Sequence, residues 1–165
     1  HYTWIDAVEE LVKRNSFKAT YILVGKGSLE KDIRSYVSEK NLEDHIVFAG
    51  FRKDIPKILP EFDLFMFTSN NEPTGGVLIE AYACRVPIVA ANAGGIPEVI
   101  VHNETGLLAE VGNPIDFADK VEYLMAKAEL QKEFTENGYQ YLIDNFTKKV
   151  IAEKMYKELN SVFTS

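Results

Sequence analysis

Short apolar segments alternate with segments of helical periodicity along this chain, and that alternation constrains its fold more than any other feature. Apolar runs bounded by turn residues predict strands at 19–24, 45–49, 64–67, 87–91 and 106–109. Amphipathic spacing and helix start signals predict helices at 2–13, 29–40, 76–84, 97–101, 114–127, 129–145 and 148–162, with a short helix after Asp54. Strands separated by helices pair in parallel and are covered on both faces. We therefore expect a three-layer α/β domain with a mostly parallel sheet, in which ligands bind beyond the carboxyl ends of the strands.

The ends of the predicted elements carry local signals. Ser28 has a typical N-cap side chain for the second helix and Asp54 for the short helix, while Pro97 suits a first helical turn. The chain opens on a helix, without the strand that should precede it in an alternating unit. No linker or low-complexity segment interrupts residues 1–165, so we expect one domain, a fragment that lacks its first strand.

Acidic residues outnumber basic ones, which argues against one class of partner. The 25 Asp and Glu against 18 Lys and Arg give a net charge of −7, whereas a nucleic-acid-binding domain normally carries a basic face. The histidines at 1, 45 and 102 lack metal-ligand spacing, so no metal site is predicted. No apolar run approaches the ~20 residues needed to cross a bilayer. Cys84, the single cysteine, lies in an apolar stretch and is expected to pack rather than react, which fits a reducing cytosol.

The polar loop and helix start at 68–80 hold the densest chemical information. Gly75 and Gly76 have no side chains to keep a ligand from the backbone, so amides of the first helical turn can face a diphosphate. Glu72 precedes these glycines and Glu80 follows them by about one turn. Two carboxylates around an anion site suit a nucleotide sugar, because carboxylates accept hydrogen bonds from vicinal hydroxyls on either side of the diphosphate. The spacing alone is equally compatible with ordinary surface positions, in which Glu72 is a solvated charge of the loop and Glu80 is an exposed helix residue.

Seven short segments, in order, resemble landmarks of the retaining glycosyltransferases of family 4. One is the glutamate pair with seven intervening residues, Glu72 and Glu80. The others are Val-Gly-Lys-Gly-Ser at 24–28, Val-Phe-Ala-Gly-Phe-Arg at 47–52, Ala-Tyr-Ala-Cys at 81–84, Pro-Ile-Val-Ala at 87–90, Gly-Gly-Ile-Pro-Glu at 94–98 and Thr-Gly-Leu-Leu at 105–108. The resemblance runs from about residue 4 to residue 127. It implies the Rossmann-like, C-terminal half of a two-domain GT-B fold, the half that binds the donor.

The resemblance also implies a role for each matching position. Glu72 would be the catalytic residue beside the donor sugar, and Glu80 would bind the ribose. The other donor-binding positions would be the amides of Thr74 and Gly75 near the sugar hydroxyls, those of Gly76 and Val77 near the diphosphate, and the turn at Phe51 and Arg52 near the nucleobase. For Gly25-Lys26-Gly27 we favour a strand-to-helix turn near the cleft, with Lys26 reaching a phosphate as the alternative.

The chain departs from the family pattern in three places. Arg85 stands where the family usually has glycine, so we expect a different local backbone because a left-handed conformation strains arginine. Gly76 replaces an apolar residue and would loosen the helix start. The family supplies an Arg and a Lys for the diphosphate from a segment before the first helix, and that segment is not among these residues.

The implied activity is transfer of a sugar from a nucleotide diphosphate sugar, UDP- or GDP-linked, to an acceptor hydroxyl with retention of anomeric configuration. The resemblance implies no metal and no cofactor, and it favours surface glycan or exopolysaccharide assembly in a cytoplasmic enzyme. A glycan or lipid-linked acceptor would be held by the missing N-terminal domain, at the inner face of the membrane if lipid-linked, and the fragment would be inactive alone.

Several alternatives stay open from the sequence. A nucleotide-sugar epimerase or a sugar phosphorylase would share the two-domain architecture, and a non-catalytic flavodoxin-like interaction module would share the alternation. A dehydrogenase fits poorly, because Gly25-Lys26-Gly27 lacks a third glycine at the required spacing.

Overall fold

The computed structural model describes residues 1–73 and 75–163, and of residues 161–163 the backbone only. The strands are β1 (Tyr21–Val24), β2 (Ile46–Gly50), β3 (Phe65–Phe67), β4 (Ile88–Ala91) and β5 (Leu107–Ala109). The helices are α1 (Tyr2–Arg14), α2 (Glu30–Glu39), α3 (Ile55–Ile58), α4 (Gly76–Ala83), α5 (Ile96–Val99), α6 (Pro114–Met125), α7 (Ala128–Asn145) and α8 (Lys148–Phe163). A 3-10 turn at Leu59–Glu61 follows α3. Each predicted strand and helix is present, with ends that differ by at most two residues.

The strands pair in parallel, as their alternation with helices predicts, but they form two sheets rather than one. β1 pairs with β2, and β4 lies between β3 and β5 in a three-stranded sheet. All four residues of β4 are buried, which is typical of a parallel strand covered on both faces. A sheet covered on both faces would bury β1 and β3 as well, yet these strands are only half-buried, and Ile22 is 37% exposed.

Helix α1 holds the two sheets together, because its apolar stripe contributes to both hydrophobic clusters of the core. Ala7 and Leu11 belong to the cluster around β3, β4 and β5, while Ile5 and Val8 belong to the cluster around β1, β2 and α2. Each large aliphatic side chain buried this way stabilises the fold by about 1.5–3 kcal/mol. The end of α1 is tied to α6, where the Arg14 guanidinium donates to a Glu122 carboxylate oxygen at 2.6 Å and to an Asp119 carboxylate oxygen at 2.7 Å.

Two predicted helix starts need correction. Ser28 is not an N-cap: α2 begins after Leu29, and no side chain caps it. Asp54 does precede α3, but its carboxylate makes no cap bond. Instead it accepts two hydrogen bonds from the Arg52 guanidinium, at 2.7 and 2.9 Å. A charge-assisted bidentate pair is stronger than a neutral amide bond, so the arginine two residues away outcompetes the helix start. Pro97 does lie in the first turn of α5.

The expectation of a different backbone at Arg85 is wrong. Arg85 keeps the left-handed conformation, with φ of 54°. Its guanidinium lies 3.7 Å from the centre of the Tyr139 ring and donates to Glu136 at 3.3 Å, both on α7. These contacts with α7 offset the strain of a left-handed arginine, which is of the order of 1–3 kcal/mol.

Tyr82 of α4 is the largest fully buried side chain of the core. Its hydroxyl donates to the Val99 carbonyl oxygen at 3.1 Å and lies 2.5 Å from the Thr105 hydroxyl, so the buried polar atom is satisfied. Burial raises the pKa of the Tyr82 phenol, which stays neutral. The ring packs against Gly138 of α7 so closely that a Cβ there would lie 2.4 Å from Tyr82 Cδ1.

We predict that Gly138→Ala destabilises the protein by about 1–3 kcal/mol, because the new methyl group forces the Tyr82 ring out of place. The sign of this stability change tests the packing, because Gly→Ala at a helical position with free space around it stabilises a protein by roughly 0.5–1 kcal/mol. Urea unfolding followed by circular dichroism measures the change. Glu133→Ala, an exposed change on the same helix, is the control and should shift stability by no more than about 0.5 kcal/mol. A stabilised Gly138→Ala protein would contradict this account of the packing.

Candidate functional site

A groove of about 990 Å³ lies between β1 and β3 and is lined by both strands. The polar segment after β3, including Thr68 and Asn70, lines its carboxyl end, where parallel α/β folds bind ligands. Glu72 and Glu80 both line this groove. The structure therefore brings the two predicted carboxylates to one common groove, at the carboxyl end of the strands.

The start of α4 lies between these two carboxylates. Gly75 precedes the helix with φ of 59°, a left-handed conformation that glycine adopts without strain. Gly76 and Val77 are the first two helical residues, so their amides have no acceptor within the helix. Gly76 is exposed, and a Cβ there would meet no heavy atom within 4 Å. An anion can therefore approach the positive end of the helix dipole at Gly76.

The Glu72 side chain turns toward this helix start. Its Oε1 accepts a hydrogen bond from the Gly75 amide at 3.2 Å. The sequence resemblance predicts that the Gly75 amide lies near the sugar hydroxyls of the donor, whereas in this structure the amide donates to Glu72. The contact holds the carboxylate beside the first turn of α4, where a second ligand oxygen could approach it from the groove.

Gly94 and Gly95 support the loop that carries Glu72, a role that the sequence analysis does not predict. The Gly95 amide donates to the Glu72 carbonyl oxygen at 2.9 Å. A Cβ on Gly95 would lie 2.2 Å from the Pro73 carbonyl oxygen, and one on Gly94 would lie 2.5 Å from that of Glu72. Only glycine allows the two backbone segments to come this close. Two adjacent glycines before a helix-starting Ile-Pro were the available signal.

The remaining predicted donor-binding residues lie elsewhere. Phe51 is 67% exposed, and Arg52 pairs with Asp54; neither lines the groove. Thr74 lies outside the described residues. Lys26 lines a smaller adjoining pocket of about 280 Å³ together with the glycines on either side, and His1 lines both spaces.

The groove is electronegative where the chain is described. Its lining includes four carboxylates, those of Glu61, Asp63, Glu72 and Glu80, and no lysine or arginine among the described residues. Within the same part of the chain, no group of three or more His, Cys, Asp or Glu side chains could hold a metal ion. A diphosphate at this groove would therefore rely on backbone amides, on Lys26 from the adjoining pocket, or on cations from outside these residues.

Cys84 lies one helical turn beyond Glu80 and is half-buried against the larger core cluster. Burial, followed by the negative charge of Glu80, raises the pKa of the Cys84 thiol. A thiol held protonated is a poor nucleophile, so the structure supports the packing role that the sequence indicates.

We predict that Gly95→Ala loosens the Glu72 loop. The added methyl group cannot coexist with the Pro73 carbonyl, so the variant should lose about 1–3 kcal/mol of stability and exchange its Gly75 amide proton faster. Urea unfolding and amide hydrogen exchange measure the two effects.

Gly27→Ala is the matched control for this change, since nothing lies within 4 Å of a Cβ there. In this control, the Gly75 amide proton should exchange at the same rate as in the unsubstituted protein. Equal Gly75 exchange in the Gly95→Ala and Gly27→Ala proteins would show that the glycine pair does not hold this loop.

Comparisons with known proteins agree on one family. The sequence model described as glycosyl transferases group 1 matches residues 1–141. The chain is 35% identical over 136 residues to N-acetyl-alpha-D-glucosaminyl L-malate synthase of Bacillus anthracis, covering 82% of this chain and 36% of that protein. It is 31% identical to poly(ribitol-phosphate) alpha-N-acetylglucosaminyltransferase of Staphylococcus aureus, covering 93% of this chain and 31% of the relative. The chain thus spans less than half the length of these relatives.

Solved structures give the same result for the fold. Anabaena Alr3699/HepE in complex with UDP superposes with a TM-score of 0.86 at 28% identity, over 98% of this chain and 45% of that one. Staphylococcus aureus TarM, in a complex that includes UDP, superposes with a TM-score of 0.87 at 29% identity, over 94% of this chain and 31% of that one. These neighbours have GT-B architecture, which confirms the predicted likeness to its Rossmann-like C-terminal half. With its family match over residues 1–141, the chain belongs to the group 1 glycosyltransferases.

Proposed function

We propose that this chain is the donor-binding domain of a retaining family 4 glycosyltransferase, which transfers a sugar from a nucleotide diphosphate sugar to an acceptor hydroxyl during glycan assembly. The observation that carries the proposal is the placement of Glu72 and Glu80 around the exposed start of α4, in one groove. The glycan context is supported by relatives named as a poly(ribitol-phosphate) alpha-N-acetylglucosaminyltransferase and as glycosyltransferases of lipopolysaccharide core and amylovoran biosynthesis. The family match does not favour an epimerase, a phosphorylase or a non-catalytic module.

A uridine diphosphate sugar is the donor that we favour over a GDP-linked one. The support comes from neighbours of 28–29% identity whose structures hold UDP or UDP-glucose. Phe51, 67% exposed at the end of β2, would offer a flat apolar surface to the base. Arg52 would have to leave Asp54 before its guanidinium could bind the same ligand.

The diphosphate would bind at the first turn of α4. The amides of Gly76 and Val77 would donate to its oxygens, and the helix dipole would add about 0.3–1 kcal/mol for an anion there. Glu80, exposed on the second turn, would accept hydrogen bonds from the ribose hydroxyls. Such positioned donors stabilise the negative charge that grows on the departing diphosphate as the glycosidic bond breaks.

Glu72 would act at the other end of the donor. Its carboxylate already lies beside the helix start and accepts from Gly75, so a small rotation would let it accept from sugar hydroxyls while the Gly75 amide donates to the same sugar. A carboxylate near the anomeric carbon also suits an oxocarbenium-like transition state, which carries positive charge. Glu72 would therefore both orient the sugar and stabilise the reacting centre.

The electronegative lining explains why a second domain would be needed. Glu72 and Glu80 lie at the carboxyl end of the groove, no lysine or arginine among the described residues lines the groove with them, and their charge opposes a diphosphate there. Cations from the part of the full-length protein outside this chain would offset that repulsion, and an acceptor would bind on the same side. The domain alone is then expected to bind the donor weakly and to transfer no sugar.

We predict that UDP binds the 165-residue chain weakly and that Glu80→Ala weakens this binding by about tenfold to a hundredfold, because a hydrogen bond to a charged group contributes roughly 1.5–3 kcal/mol. Isothermal titration calorimetry at millimolar UDP measures both affinities. Glu129→Ala removes an exposed carboxylate at the start of α7 and should leave the affinity unchanged.

Two results would count against this assignment. No heat with either UDP or GDP at millimolar concentration would remove donor binding by this domain. Equal UDP affinity of the Glu80→Ala and Glu129→Ala proteins would remove the ribose role of Glu80 while leaving donor binding intact.

A further inference from the structure

The start of α4 already holds a negatively charged group in this structure, the Glu72 carboxylate. Its Oε1 accepts a hydrogen bond from the amide of Gly75, the residue that immediately precedes the helix, at 3.2 Å. A helix N-terminus favours anions of every chemical kind, because its free amides and its dipole attract negative charge. Glu72 therefore takes one of the amides at the helix start where the diphosphate of a nucleotide sugar would bind.

Glu72 also lies close enough to this helix start to repel a phosphate there. Gly75 and Gly76 are adjacent, with Cα atoms about 3.8 Å apart, so a phosphate oxygen on the Gly76 amide would lie only a few ångströms from the carboxylate. Salt screens charges little at this range, since the Debye length is about 8 Å at physiological ionic strength. No lysine or arginine in the described part of the groove lining offsets the repulsion.

The Glu72 backbone is held in place, so relief of this repulsion has to come from the side chain. The Gly95 amide donates to the Glu72 carbonyl oxygen at 2.9 Å, and a Cβ on Gly94 would lie 2.5 Å from the same oxygen. Rotation of the side chain breaks its bond to Gly75 and leaves the carboxylate in need of other hydrogen-bond donors. The hydroxyl groups of a sugar supply such donors, whereas a bare diphosphate supplies none.

Transfer of the sugar changes the charge next to Glu72. In the proposed reaction, the bond between the anomeric carbon and the diphosphate oxygen breaks, and the oxygen keeps the electron pair. The anomeric carbon bonds the acceptor oxygen, whose proton passes to the diphosphate or to solvent. The terminal phosphate so formed has a second pKa of about 6, so near pH 7 it carries more negative charge than the sugar-linked phosphate did. The carboxylate therefore faces a sugar before transfer and a more highly charged phosphate after it.

We infer that Glu72 makes this domain prefer the sugar-bearing nucleotide over the nucleoside diphosphate that remains after transfer, an inference that rests on the proposed function. With a sugar present, the carboxylate leaves Gly75 and accepts from the sugar hydroxyls. Without a sugar, it returns to the Gly75 amide, and its charge weakens the binding of the diphosphate at Gly76 and Val77. Glu72 thereby promotes product release as well as sugar binding.

The test measures UDP and UDP-glucose binding to Glu72→Gln by isothermal titration calorimetry. Glutamine keeps the size of the side chain and an oxygen that accepts from Gly75, but it removes the charge. We expect UDP to bind about threefold to tenfold more tightly than to the parent chain, the size expected for two charges a few ångströms apart near the surface. UDP-glucose gains less, so the ratio of UDP-glucose to UDP affinity falls. Glu80→Ala, which removes a carboxylate from the same groove, should have the opposite effect on UDP.

Glu61→Gln is the matched control. Glu61 is an exposed residue that lines the same groove, but it lies in the 3-10 turn before β3, at the amino end of that strand. The substitution makes the same change in net charge and should leave both affinities unchanged. If the Glu72→Gln protein does not fold, Glu72→Ala removes the same charge and takes its place in the test.

Tighter UDP binding by the Glu72 variant alone supports the inference, including the case in which only this variant gives measurable heat with UDP. If the parent chain binds UDP and the folded variant binds it equally or more weakly, the inference is overturned while donor binding by this domain stands. An equal gain in Glu61→Gln overturns it as well, because the effect would then be one of net charge. No heat with UDP in any of these proteins overturns the inference together with the proposed donor binding.

Discussion

The apolar stripe of α1 is the interaction on which the rest of this structure depends. One side of the stripe, with Ile5 and Val8, completes the cluster around β1 and β2, and the other, with Ala7 and Leu11, completes the cluster around β3 to β5. The two sheets share no strand pairing among the described residues, so helix packing rather than hydrogen bonding sets their separation. That separation creates the groove, and the groove brings Glu72 and Glu80 together at its carboxyl end.

A second constraint acts on backbone rather than side chains. Glu72 lies on a loop, and loops are the least stable part of most sites. Here the Gly95 amide donates to the Glu72 carbonyl oxygen at 2.9 Å, and the backbone of the Glu72 loop lies so close to Gly94 and Gly95 that neither position has room for a Cβ. The carboxylate then adds its own bond to Gly75. These contacts hold the backbone of the Glu72 loop beside the start of α4 without the help of a ligand.

Particular residues show which features of the structure could be predicted from the sequence and which could not. Periodicity predicted the strands and helices, since burial of one face leaves its pattern in the sequence. It did not predict that the Asp54 carboxylate bonds Arg52 rather than capping α3, that Arg85 keeps a left-handed conformation by packing on Tyr139, or that β1 is half-exposed. Each depends on a neighbour whose position the local sequence does not encode. The paired carboxylates were predicted from the family resemblance, because their spacing alone is equally compatible with ordinary surface charges, whereas the support from Gly94 and Gly95 depends on a backbone approach across two loops.

By itself, the sequence determined the α/β class, the parallel pairing, the glycine-opened helix between two glutamates and the family landmarks, because these are patterns of adjacent residues and of period. Only the tertiary structure decided that Glu72 and Glu80 line one groove, that Phe51 and Arg52 lie outside it, and that the strands divide into two sheets. These outcomes follow from how far apart packed helices hold distant segments. Such distances are set by the summed contacts of the whole core, and no single stretch of sequence carries them.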